Sequence, residues 1–127
     1  MQKLILVGVG GFIGAVLRYF VSGFVQSLTQ SVAFPHGTLA VNITGCFLIG
    51  IFSYLVESQA GLTPEMRLFL LVGILGSFTT YSTFSAETMS LIQDQRLFLG
   101  LMNIGTHIIL GLSAVVLGRF AIIAVWR

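Results

Sequence analysis

Two stretches of the chain leave little choice of solvent: from Leu4 to Gln26 the one charged residue is Arg18, and from Gly37 to Val56 there is none. Runs of about 20 apolar residues meet the length a helix needs to cross the hydrocarbon core of a bilayer. Two further runs follow. The spans are drawn at about 4–25, 38–56, 66–92 and 97–125, so that residues 1–127 form a single four-span membrane domain of all-α class. Charged residues make up 8% of the chain, against roughly a quarter in soluble domains.

Lys3 and the apolar run after it have the outline of a secretory signal. No cleavage-like stretch leads into a polar body, however, and three more apolar runs follow, so the run is read as the first span. The six basic residues are scattered rather than clustered, which argues against nucleic acid as a partner. Cys46 is the only cysteine, so no intrachain disulfide forms; within a span it reads as a small core hydrophobe.

The connections between spans are short and carry turn residues: Pro35 in the first, Gly61 and Pro64 in the second, and the polar turn Gln93 to Arg96 in the third. Neighbouring spans are then antiparallel, and both termini share a side with the second connection. That side holds Lys3, Arg67, Arg119 and Arg127, while Arg96 and Arg18 belong to the other. Four against two is a weak positive-inside bias, compatible with insertion in either orientation.

Glycine is abundant, at 15 residues, and much of it lies inside the spans, including the GxxxG pair Gly10 and Gly14. Small residues let membrane helices bring their backbones together, and tight packing is the expected role. Gly8 to Gly14 also loosely resembles a dinucleotide-binding fingerprint. It is rejected because no strand precedes it and no acidic residue occurs before Glu57.

The third span is the informative one. From Leu70 to Ile92 it reads LLVGILGSFTTYSTFSAETMSLI, and Thr79 is the fourteenth of the 27 residues from 66 to 92, near the bilayer midplane. An intact helix would bond these hydroxyls back to carbonyls one turn earlier. A broken helix would expose backbone groups that only a protein-lined cavity can accommodate. The adjacent pairs Gly76–Ser77 and Thr79–Thr80, with rings at Phe78, Tyr81 and Phe84, favour a break. Asn42 adds a polar group in span two, and Asn103, Thr106 and His107 share one face of span four. Singly, each is interhelical glue; together they supply donors across the membrane, and donors without carboxylates suit an anion. Arg18 either snorkels to the interface or serves an ion path, and Glu87 allows the same two readings.

Four segments, GGFIGAVLRY (Gly10 to Tyr19), GTLAVNITGCFLIG (Gly37 to Gly50), GSFTTYSTFSAE (Gly76 to Glu87) and LMNIGTHIILG (Leu101 to Gly111), cover the chain in an order that resembles the Fluc or CrcB-type fluoride channels. The resemblance implies an antiparallel, dual-topology homodimer in the bacterial inner membrane, with two pores and passive, selective export of fluoride that confers resistance. It places the pore aromatics at Tyr81 and Phe84, polar pore positions at Asn42, Ser82, Thr83 and His107, and a vestibule cation at Arg18. It also implies a structural sodium ion at the dimer interface, held by the backbone carbonyls of Gly76 and Thr79. Tyr81 departs from the family's phenylalanine, and Gly111 stands where some relatives carry a hydroxyl.

No catalytic constellation or nucleotide motif suggests an enzyme. The rival reading is a proton-coupled small multidrug exporter, another short four-span dual-topology dimer. It requires a buried carboxylate, typically in the first span, where this chain has Arg18 and no acid; only Glu87 remains for that role. A structural subunit that transports nothing is the second rival.

Overall fold

The computed structural model describes residues 1–58 and 61–126, and all regular structure among them is helical. Helix α1 is Gln2–Thr29 and α2 is His36–Glu57. The third span is two half-helices: α3, residues 64–78, and α4, Tyr81–Gln93. Helix α5 is Leu97–Trp126. Four helical stretches, Gln2–Thr29, His36–Glu57, Pro64–Gln93 and Leu97–Trp126, are long and apolar enough to cross a membrane, and the chain is a multi-pass membrane protein. Arg127, counted above toward the charge bias, lies outside the described residues.

Helix ends follow local chemistry. Gln30 takes a left-handed conformation, with φ 49°, to stop α1. The Gln26 side chain then ties down the connection, donating to the Ser31 and Phe34 carbonyls and accepting from the Gly37 amide at 3.0 Å. That bond satisfies one of the amides a helix start leaves without an intrahelical partner. At the start of α3 the Thr63 hydroxyl caps the Met66 amide at 3.2 Å, with Pro64 in the first turn.

The four-span bundle is built on two close seams. Helices α2 and α5 pack along much of their length, and α1 packs on α3. In the second seam Gly10 meets Gly73: a Cβ on Gly73 would lie 2.9 Å from the Gly10 Cα, and one on Gly10 would lie 2.6 Å from the Phe69 carbonyl oxygen. The GxxxG pair therefore does bring backbones together, as lipid-embedded packing requires. Most of α3 is a π-helical stretch, Leu68–Leu75, an uncommon form that in other proteins concentrates near functional sites. Nothing in the local sequence announces it.

Candidate functional site

The third span breaks after Phe78. Thr79 (φ −81°, ψ 154°) and Thr80 (φ −149°, ψ 116°) are both extended. At the end of α3 the Leu75 carbonyl accepts from both the Thr79 amide, at 3.1 Å, and its hydroxyl, at 3.0 Å. The Thr80 amide would close the next rung on Gly76. It turns instead to Asn42 Oδ1 at 2.8 Å, while Asn42 Nδ2 donates to the Thr80 carbonyl at 3.0 Å. One side-chain amide thus satisfies both backbone groups of the residue that departs furthest from a helix, at a depth where an unpaired group costs several kcal/mol.

Thr80 also starts α4. Its hydroxyl oxygen accepts from the Thr83 amide at 3.2 Å and lies 3.0 Å from Thr83 Oγ1 and 3.3 Å from Ser82 Oγ. This is N-cap chemistry. The amide end of α4, the positive end of its dipole, is therefore aimed into the middle of the span.

An open-sided groove of about 780 Å³ runs beside the break, and it brings together Asn42, Gly76, Thr79, Tyr81, Phe84 and His107 from the residues singled out in the sequence. No charged residue among the described residues lines it. The Tyr81 and Phe84 ring centroids are 5.6 Å apart, tilted by 51°, and Phe84 lies 4.3 Å from the His107 ring. Tyr81 is 80% exposed. His107 Nδ1 faces the Asn103 carbonyl at 2.9 Å. A carbonyl only accepts, so the proton of the neutral ring sits on Nδ1, and the buried Nε2, which has no partner, presents a lone pair.

Ser82, Thr83 and Arg18 are placed differently. Thr83 and Arg18 line a second, smaller cavity of about 340 Å³ between α1, α2 and α4, together with Thr38 and Thr80. Ser82 is exposed and reaches this group through its contact with Thr80. Only Thr80 and no other polar residue of the break borders both cavities. Beyond Thr83, the half-buried Glu87 accepts from the Thr38 hydroxyl at 2.7 Å.

Sequence reasoning left Thr80 without a role of its own, yet it is the hinge between the cavities, the cap of α4 and the partner of Asn42. The available signal was an N-cap residue at the start of a polar helical turn. Thr88 was also passed over; its hydroxyl bonds back to the Phe84 carbonyl at 2.8 Å and accepts from Asn103 Nδ2 at 2.9 Å.

Comparison with known proteins identifies the family. The model of the family described as CrcB-like protein, Camphor Resistance (CrcB), matches residues 5–119. Fluoride-specific ion channel FluC 1 of Methanosarcina acetivorans is 46% identical over 121 residues, covering 95% of this chain and 91% of that protein. Fluoride-specific ion channel FluC of Ruminiclostridium cellulolyticum is 46% identical over 119 residues, covering 94% and 91%. Its namesake from Rhizobium etli is 45% identical over 118 residues, covering 93% and 94%. A four-span helical chain with a broken third span and a match of this extent belongs to the CrcB-like family.

Proposed function

We propose that the chain is a subunit of a fluoride-selective channel that passes the anion down its electrochemical gradient, working as an antiparallel pair of copies inserted in opposite orientations. The observation that carries the reading is the meeting, at the break, of the Tyr81 and Phe84 rings with the amide end of α4 in a groove lined by no charged residue among those described. An aromatic ring has a positive edge, and a helix start has a positive end. A small anion losing water is met favourably by both, while a cation is not. The relatives named above are fluoride-specific ion channels, which selects fluoride among the small anions.

Pairing follows from the same groove. Irregular backbone at midplane depth must be covered by protein or line a cavity, and here Gly76 is exposed on an open-sided groove. A second copy across that face would cover the break and complete a pore. Arg18 would draw anions into the smaller cavity, with the hydroxyls of Ser82 and Thr83 as donors along the way.

A structural sodium ion fits the centre of such a pair. The Gly76 carbonyl has lost its helical donor to Asn42, and both Gly76 and Thr79 border the groove. No group of three or more His, Cys, Asp or Glu among the described residues is placed to hold a metal, so a cation here would rest on backbone oxygens, which suit a hard monovalent ion. Once bound, it supplies positive charge to carbonyls that the break leaves short of donors.

The test is efflux from liposomes loaded with fluoride and chloride, with valinomycin and potassium to release the counter-charge. Fluoride release without chloride release is the expected result. Equal release of the two, or none from well-folded protein, overturns the reading.

A further inference from the structure

Helix α4 carries both pore rings but has little apolar packing to hold it. It lies along α5 and touches α2 at only a few positions. Polar ties set its place instead. Two reach α2, from Thr80 to Asn42 and from Glu87 to Thr38. The third reaches α5 and centres on Asn103.

Asn103 is 0% exposed, and its Oδ1 has no partner among the described residues. A buried amide with one half unsatisfied is unfavourable where a leucine would pack in lipid at no such cost. The other half of the amide accounts for its presence. Asn103 Nδ2 donates to Thr88 Oγ1 at 2.9 Å, and the Thr88 hydroxyl donates to the Phe84 carbonyl at 2.8 Å. A hydroxyl has one proton. With that proton on Phe84, the Thr88 oxygen must accept from Asn103, which orients the amide. The backbone carbonyl of Asn103 also receives His107 Nδ1 at 2.9 Å, and the His107 ring rests 4.3 Å from that of Phe84. One residue thus acts on Phe84 from two sides, through Thr88 on its backbone and through His107 on its ring.

We propose that Asn103 is a positioning residue for the ring pair: by pinning α4 to α5 through Thr88, it holds Phe84 against His107 at the rotation that presents its ring to the groove. Asn103 does not line the groove, whereas its partner Thr88 does, so Asn103→Leu is the variant that removes the link without altering the groove wall. The proposal rests on the fluoride-channel reading, and the test separates the two.

Full-length protein in liposomes is compared as wild type, Thr88→Val, Thr88→Ser, Asn103→Leu and the double variant Thr88→Val with Asn103→Leu. Valine matches threonine in shape without the hydroxyl, and serine keeps the hydroxyl. Thr88→Val is expected to lower fluoride efflux about tenfold, the effect of one buried hydrogen bond on a barrier, and to lower the preference for fluoride over chloride. Thr88→Ser is expected to keep both. The double variant should be no worse than the worse single, because both remove one link. It also leaves no polar atom of the link unpaired, so it supplies the measurement if a single variant fails to fold.

Wild-type efflux and preference in Thr88→Val, or equal failure of Thr88→Ser and Thr88→Val, would overturn the role of Asn103 alone. Losses that add in the double variant would do the same. A wild type that releases no fluoride removes the channel reading and this proposal with it.

Discussion

The side-chain amide of Asn42 brackets Thr80, accepting from its N–H at 2.8 Å and donating to its C=O at 3.0 Å, so that one residue of α2 takes the place of a neighbouring strand. This makes Asn42 a holder of the break whatever its contact with the permeating ion. Asn42→Ala leaves two buried backbone groups unpaired, at about 1–3 kcal/mol each. It is expected to lower the thermal midpoint in detergent together with fluoride efflux. Asn42→Asp keeps an acceptor for the Thr80 amide but loses the donor and adds negative charge beside an anion path. Its second oxygen faces the Thr80 carbonyl oxygen at mid-span, so it is expected to be at least as destabilised as Asn42→Ala and to conduct no better. Equal stability of wild type and Asn42→Ala would show that Thr80 finds other partners.

The α1–α3 seam predicts a contrast between two glycines of one helix. A Cβ at Gly10 would sit 2.6 Å from the Phe69 carbonyl oxygen, and backbone cannot swing aside as a side chain can. Gly10→Ala should therefore cost about 1–3 kcal/mol, as overpacking typically does. Nothing lies within 4 Å of a Cβ at Gly8, and Gly8→Ala should be neutral or gain the propensity difference of up to about 1 kcal/mol. Thermal unfolding followed by size-exclusion chromatography measures both. A Gly10→Ala variant as stable as Gly8→Ala would mean that the helices pack differently.

The four spans, the close approach at Gly10 and the break were legible because each depends on local pattern: run length, small-residue spacing, and hydroxyls beside glycine at mid-span. The partnerships within the site were not. Asn42 and Thr80 are 38 residues apart, and Asn103 and Thr88 are 15 apart; which polar groups meet depends on the rotation of each helix. The π-helical stretch Leu68–Leu75 was equally hidden, because its composition is that of any apolar helix. The division of the polar residues into a groove with Tyr81 and Phe84 and a cavity with Arg18 and Thr83 again comes from helix rotation. Along α4, Thr83 turns to the smaller cavity while Tyr81 and Phe84 turn to the groove, and Thr80, the cap before them, borders both.

At the far end of the bundle Arg119 donates to Glu57 at 2.6 Å and lies over the Tyr54 ring at 5.7 Å. Both charged side chains are about half exposed, at 45% and 56%. An exposed pair gains little over solvent and is screened by salt. Glu57→Gln is accordingly expected to leave the thermal midpoint and fluoride efflux unchanged in physiological salt. A clear loss of either would show that this contact helps to hold α2 against α5.

The ring pair gives the sharpest test of the anion reading, because its two members stand in different surroundings. Phe84 is packed between Tyr81 and His107, with centroids 5.6 Å and 4.3 Å away. Its ring edge is fixed by those neighbours. Tyr81 is 80% exposed, and its phenol makes no hydrogen bond among the described residues. Phe84→Ile keeps apolar bulk but removes the positive ring edge, and is expected to lower fluoride efflux by about tenfold or more if that edge lowers the barrier by at least 1.4 kcal/mol. Tyr81→Phe keeps the edge and removes only the hydroxyl. It is expected to conduct at least as well as wild type, with preference over chloride intact. Efflux from matched liposomes, normalised to reconstituted protein, decides both. Full conduction in Phe84→Ile would remove ring edges from the mechanism, whereas loss in Tyr81→Phe would assign the phenol a donor role.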